Sequence, residues 1–134
     1  MLVSGIGAAA RAHLAAALRK QLGAPLVVLC PEDSAAETFA RDLEALLDRP
    51  VITLFSREWQ LRPGAVASRD WERGRLAALY ALTGDEPPAA VVAAADALMA
   101  RTLPPETLKK LSLTLRAGGR MDLKELTDRL LAAG

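Results

Sequence analysis

The sequence predicts an α/β fold, a parallel sheet with helices on both faces. Runs of apolar residues without charge end near turn signals, and patterns with helical spacing separate them. Strands that alternate with helices in this way form parallel sheets, because a parallel connection needs a long crossover. The predicted order is β-α-β-α-β-loop-α-β-α, followed by β-α. The apolar runs are LVVLC at 26–30, VITLF at 51–55 and AAVVAAA at 89–95.

Length and composition place limits on the class of protein. A chain of 134 residues with 51% hydrophobic residues can bury a core of its own. A formal net charge of +1 gives no overall field for nucleic acid or an acidic membrane. A single cysteine fits a reducing cytosol. We see no signal peptide and no apolar run long enough to span a bilayer, so we expect a cytoplasmic location.

The first half of the chain predicts three strands and two helices. Leu2-Val3 is interpreted as a short first strand, followed by a helix over 8–22 that Gly23 ends. Leu14, Leu18 and Leu22 form its apolar stripe. The run 26–30 predicts a strand buried on both faces. Ser34 with Glu37 predicts a capping box for the second helix. Its apolar face would consist of Ala36, Phe39, Ala40, Leu43, Leu46 and Leu47, before a strand at 51–55.

The second half begins with a long loop over 56–70 and ends in a change of pattern. A helix is predicted from about Trp71 to Leu82, a fourth strand over 89–95, and short helices over 96–101 and 105–111. The third helix would place Leu76, Leu79 and Tyr80 on one side. Leu111, Leu113 and Leu115 alternate with polar residues, which predicts a half-exposed strand. A turn at Gly118-Gly119 and a helix capped by Asp122 and Glu125 follow, with a stripe of Leu123, Leu126 and Leu130. We therefore expect a second subdomain from residue 112.

The stretch SGIGAAARA, at 4–12, occupies the place of a phosphate-binding loop. Set on the pattern G-x-x-x-x-G-K-[ST], Gly5 matches the first glycine. Ala10 replaces the second glycine, Arg11 replaces the lysine, and Ala12 replaces the hydroxyl residue that holds magnesium. Arginine carries charge but with different geometry. The alternative interpretation is a tight turn that binds no nucleotide, with Arg11 solvated or paired.

A dinucleotide-binding fingerprint is a weaker match to the same residues. Gly5 and Gly7 fit G-x-G-x-x-G, and Ala10 is tolerated at the third position. The acidic residue expected at the end of the second strand is replaced by Cys30-Pro31. Gly5, Gly7, Ala10, Arg11 and Ala12 are thus the candidate site residues. We expect no cofactor, no metal and no catalytic residue in this chain.

For the other candidate functional residues we favour a purely structural interpretation. Asp96 could be a strand-end magnesium acid but is better explained as a helix cap. Glu32-Asp33 alone does not make a receiver-type acidic site. His13 is expected on the surface, and Cys30 is expected to be buried at a strand end. Trp59 and Trp71 are expected to pack the long loop against the core. Five arginines are expected to form a solvated face with some ion pairs: Arg57, Arg62, Arg69, Arg73 and Arg75.

Two stretches carry a resemblance to a known family. FSREWQLRPG with DWERGRLAALYALTGDEPPAAVVAAADALMARTLPPETL resembles the N-terminal region of the bacterial transcription-repair coupling factor (Mfd). LSLTLRAGGRMDLKELTDRLLAAG is similar to the strand and acid-capped helix that follow in that family. The family's loop after the tryptophan is usually more aromatic and acidic than Leu61-Arg62-Pro63-Gly64.

The resemblance implies a fold, a division of the chain and a function. It implies a degenerate P-loop, helicase-like domain over 1–111, similar to the first domain of UvrB, and the start of a UvrA-binding type of insert over 112–134. It implies a non-catalytic module that supports recruitment of UvrA to stalled RNA polymerase, while the ATP-dependent translocase lies elsewhere in the parent protein. The expected partner is the rest of that protein. The main UvrA contacts would lie beyond Gly134, with no strong direct nucleic-acid binding. The alternative is a nucleotide-binding domain of P-loop or Rossmann type with an atypical loop.

Overall fold

The computed structural model describes residues 2–56 and 69–133, with the backbone alone at 69–71. The described strands are β1 (Leu26–Cys30), β2 (Val51–Leu54) and β3 (Ala90–Ala94). The described helices are α1 (Ala8–Leu22), α2 (Asp33–Glu44), α3 (Arg69–Ala81), α4 (Ala95–Met99), α5 (Pro105–Leu111) and α6 (Leu123–Ala133). The predictions for Trp59 and for most of the long loop lie outside the described residues.

The three strands form one parallel sheet in the order β1-β3-β2. Ala90 of β3 pairs with Leu26 on one side and with Val51 on the other. The chain passes over one strand position from β1 to β2 and then returns to β3. Parallel crossovers are right-handed, so a reversal of direction places the two crossover helices, α2 and α3, on opposite faces. The predicted α/β class with helices on both faces is confirmed.

One face of the sheet packs against α1 and α2. Alternate residues of β1 and β3, among them Cys30 and Val92, meet Leu43 of α2 in a continuous apolar cluster. Leu43 and Val92 have no exposed surface. In α1 the buried residues are Ala12, Ala15 and Ala16, while Leu22 is exposed. The predicted leucine stripe of α1 is thus wrong at Leu22, while Leu14 and Leu18 are half-buried. Small residues form the buried side of the helix, where they allow α1 and α2 to approach closely.

The opposite face of the sheet packs against α3 and α4. Val91 and Ala93 of β3 and Leu54 of β2 contact Ala78 of α3 and Ala97 of α4. Every residue of β3 is buried, as expected for a central strand with helices on both sides. The alanine-rich run thus forms the centre of the sheet.

The sequence predicts that β1 is buried on both faces, but in the structure it is buried on one face only. It lies at the edge of the sheet, and its residues alternate between covered and exposed. Val27 and Leu29 are 69% and 60% exposed. A continuous apolar run indicates burial only if helices cover both faces, and α3 lies over β2 and β3 rather than over β1.

Three local predictions need correction. Leu2 and Val3 form no strand, and Leu2 is 94% exposed. The Ser34 capping box is absent, because Asp33 already begins α2 and the Ser34 hydroxyl donates to Glu32 instead. Asp96 lies in the first turn of α4 rather than at its cap.

α3 faces the core with a different set of residues from the one predicted. Arg75 and Ala78 are buried and Leu79 is half-buried, whereas Leu76 and Tyr80 are 47% and 45% exposed. The helical period is right, but the buried side of the helix is shifted because the Arg75 guanidinium reaches inward to backbone carbonyls. The long aliphatic stem of an arginine can pack in a core when its charged end is hydrogen-bonded.

The chain divides into two compact units, Met1–Arg101 and Thr102–Gly134. The sequence places the division at 111/112, and the identities given to the two domains stay predictions. The second unit contains α5 and α6. No strand forms at 111–116: Leu111 ends α5, and the residues at 112–116 have no regular secondary structure. Gly118 makes the predicted turn with a φ of 78°.

Candidate functional site

The candidate site begins with the glycine turn ahead of α1. Gly5 has a φ of 75°, a left-handed conformation that favours glycine. Gly7 is the N-cap of α1 and has extended backbone, and no side chain caps the helix. The turn therefore leaves amide groups of the first helical turn without a side-chain acceptor, as in many anion-binding loops.

The side chains at the key positions do not follow the chemistry of a phosphate loop. Arg11 Nε donates a hydrogen bond to the carbonyl oxygen of Ile6, 3.0 Å away, so the guanidinium folds back over its own turn. Ala12 is 1% exposed and packs into the core. The methyl group at that position offers no oxygen to a magnesium ion, and a hydroxyl there would be buried. Ala10 is exposed.

The segment that precedes the glycine turn also differs from the strand that the sequence predicts there. A phosphate loop joins a central strand to a helix, which holds the loop rigid at the edge of the sheet. Leu2 and Val3 have no strand structure, so the predicted strand-turn-helix shape is wrong at its first element.

A groove of about 510 Å³ opens beside the turn, between α1, α2 and the free edge of β1. Val28 and Phe39 give it an apolar wall, and Arg11 and Asp42 bring opposite charges to it. The full lining is Ala8, Arg11, Val28, Leu29, Cys30, Pro31, Ser34, Ala35, Thr38, Phe39 and Asp42. The sequence did not indicate this groove, because it depends on which strand lies at the edge of the sheet.

The acidic pair after β1 has a structural part in the fold. The Asp33 carboxylate accepts hydrogen bonds from the backbone N–H of Ser56, at 2.9 and 3.1 Å, and from the Ser56 hydroxyl. Asp33 begins α2 and Ser56 follows β2, so this contact passes the carboxyl end of the central strand β3. Ligands of open α/β sheets bind at this end. This pairing could not be predicted from the sequence, since the two residues follow different strands.

Arg75 is a buried member of the arginine group that the sequence assigns to a solvated face. Its terminal nitrogens donate to the carbonyl oxygens of Phe55, at 3.4 Å, and Ala100, at 3.2 Å. For this residue the surface prediction is wrong. Arg73 is exposed, as predicted. Arg57 and Arg62 lie outside the described residues, as do the side chains of Arg69 and Trp71.

His13 and Cys30 are placed as the sequence predicts. His13 is exposed on α1, and its Nδ1 atom lies 3.0 Å from the carbonyl oxygen of Ala9. Cys30 is a buried free thiol, and burial raises its pKa above the ordinary value. Across residues 2–56 and 69–133 no cluster of three or more histidine, cysteine or carboxylate side chains could hold a metal ion.

Comparison with known proteins adds no relative. A scan against protein-family models, a search of curated proteins and a search of solved structures each found no match. None of the described helices is long and apolar enough to cross a membrane.

Proposed function

We propose that this chain is a non-catalytic structural and interaction module of a transcription-coupled DNA repair factor, which supports recruitment of the UvrA excision-repair machinery to stalled RNA polymerase. Residues 1–111 would be a degenerate P-loop, helicase-like domain, and residues 112–134 would begin the UvrA-binding type of insert. The ordered resemblance over nearly the whole chain supports this proposal.

The observation that carries the non-catalytic part is the chemistry of the turn before α1. Arg11 donates Nε to the Ile6 carbonyl, and Ala12 is buried. A catalytic phosphate loop needs a free cation that follows the β and γ phosphates, and a hydroxyl on the magnesium ion. The residues here supply neither in the required form, while Gly5 keeps the left-handed turn that begins the helix.

A calorimetric titration with Mg-ATP tests this part of the proposal. We expect no binding heat at nucleotide concentrations up to about 1 mM, the range in which weak sites still register. Arg11→Ala is the matched variant. A micromolar dissociation constant that Arg11→Ala abolishes would contradict the proposal and favour a nucleotide-binding domain.

The repair part is tested in cells. In a host that encodes this chain, the codons for residues 2–133 are deleted and removal of ultraviolet lesions is followed separately on the two DNA strands. We expect the faster repair of the transcribed strand to disappear while repair of the other strand continues. Complementation with the wild-type sequence and with Arg11→Ala should both restore the strand difference. A strand difference that survives the deletion would overturn the repair function.

A further inference from the structure

The free edge of β1 lacks the features by which edge strands usually avoid association. β1 pairs with β3 on one side only, and no described residue pairs with the other side. The strand has no charged residue, no proline and no bulge between Leu26 and Cys30. Exposed apolar edges of this kind pair with further strands.

The backbone geometry of β1 determines which N–H and C=O groups can pair with a further strand. The N–H of Leu26 donates to Ala89 on the β3 side, at 3.1 Å. Because the direction of the peptide groups alternates along a strand, the N–H and C=O groups of Val27 and Leu29 point to the free edge. The side chains of these two residues are also exposed, on the sheet face that α3 leaves open. An added strand would satisfy the ladder groups and cover both side chains.

We propose that the occupant of this edge is a second copy of the chain, joined by antiparallel pairing of β1 with β1 about a twofold axis at Val28. This register places Val27 of one copy opposite Leu29 of the other, twice. Residues whose peptide groups face each other in this way exchange both of their hydrogen bonds. The four exposed side chains then form one apolar patch on a continuous six-stranded sheet.

The charges in the groove agree with this symmetry. α1 runs opposite to β1, because the Arg19 guanidinium near its end reaches Ala89 at the amino end of β3, at 3.1 Å. Arg11, near the start of α1, therefore lies toward the carboxyl end of β1. α2 follows that end and returns, which carries Asp42 toward the amino end. Antiparallel pairing brings Arg11 of each copy to the end where Asp42 of the other copy lies.

This inference is independent of the repair function and has its own test. Sedimentation equilibrium of the 134-residue chain between about 10 and 500 µM should show a monomer–dimer equilibrium, since a five-residue strand pair buries less area than a tight interface. Leu29→Lys should raise the dissociation constant at least tenfold, because each dimer then places a lysine in the apolar patch twice. Leu131→Lys, at a leucine of α6 that is also mostly exposed, is the matched control and should leave the constant unchanged.

Charge exchange separates this geometry from unspecific association. Arg11→Glu and Asp42→Arg should each weaken the dimer about threefold to tenfold, and the double variant should restore it. The amide protons of Val27 and Leu29 should exchange more slowly as concentration rises. A chain that stays monomeric at 500 µM would overturn the proposal, as would a dimer that tolerates Leu29→Lys or depends on Leu131. Circular dichroism checks that each variant keeps its fold.

Discussion

β1 and β3 are neighbouring strands of five residues without charge, and their surroundings differ sharply. β3 is buried along its whole length although three of its residues are alanine. β1 carries larger side chains, yet Val27 and Leu29 are mostly exposed. Position in the sheet decides burial here: α2 and α3 approach β3 from both sides, and small residues permit that approach, whereas β1 has helices on one face only. An apolar run therefore predicts a strand but not how deeply that strand is buried.

The largest expected effect comes from a charge placed in β3. Val92→Asp buries a carboxylate where no exposed surface remains, and we expect the free energy of unfolding to fall by more than about 4 kcal/mol, enough to unfold the first unit. Val27→Asp in β1 is the matched control and should cost less than about 1 kcal/mol. Urea denaturation followed by circular dichroism measures both. Equal losses would mean that β1 is covered in solution.

A smaller effect is expected from truncation in the layer that covers β3. Leu43→Ala in α2 leaves a cavity against the sheet and should lower the free energy of unfolding by about 2–5 kcal/mol. Leu29→Ala removes the same atoms from an exposed site and should cost less than about 1 kcal/mol in the monomer. The same denaturation experiment at low protein concentration makes the comparison. A Leu29→Ala loss as large as that of Leu43→Ala would contradict the assigned burial.

Substitution of Asp33 tests whether its contact with Ser56 stabilises the fold at the ends of the two outer strands, β1 and β2. Asp33→Asn keeps one acceptor but loses the charge that strengthens both hydrogen bonds, so we expect a loss of about 1–3 kcal/mol. Asp96→Asn is the control: this exposed aspartate also lies in the first turn of a helix, and we expect less than about 0.5 kcal/mol. Thermal unfolding resolves the difference, and similar losses at both positions would contradict a role for the contact.

The smallest effect concerns Cys30, which ends β1. Burial raises the pKa of its thiol, so the folded state holds the proton more tightly than the unfolded state. The stability from the protonated thiol is present below the ordinary thiol pKa and is lost as pH rises through the folded-state pKa. The difference in unfolding free energy between wild type and Cys30→Ala should therefore be constant below about pH 8 and should shrink above it. A difference that stays constant as pH rises would mean an exposed thiol, and one that grows would mean that folding stabilises the thiolate; either result would contradict the burial of Cys30.

Much of the fold could be predicted from local patterns. Helix α1 has the predicted bounds, and the runs at 26–30, 51–55 and 89–95 each contain a strand. The order of those strands could not be predicted, because nothing in an apolar run says which other run it pairs with. The missing strand at Leu2-Val3 has the same origin, since a strand exists only with a partner.

The candidate site, like the fold, could be predicted only in part from the sequence. The replacement of the phosphate-loop residues at Ala10, Arg11 and Ala12 is visible in the sequence. The contact of Arg11 with Ile6 and the burial of Arg75 depend on side-chain paths that no periodicity contains. The contact of Asp33 with Ser56 joins residues that follow different strands, so it becomes visible only once the sheet order is known.

The strand order has a consequence for the time course of biosynthesis. β3 is made last of the three strands, yet each outer strand has its parallel ladder with β3. The segments of β1 and β2 are therefore synthesised before β3, the strand with which each of them forms hydrogen bonds in the folded protein. We expect the nascent chain to hold helices early and to gain its sheet in one late step, when residue 94 has left the exit tunnel, because contacts distant in sequence form slowly.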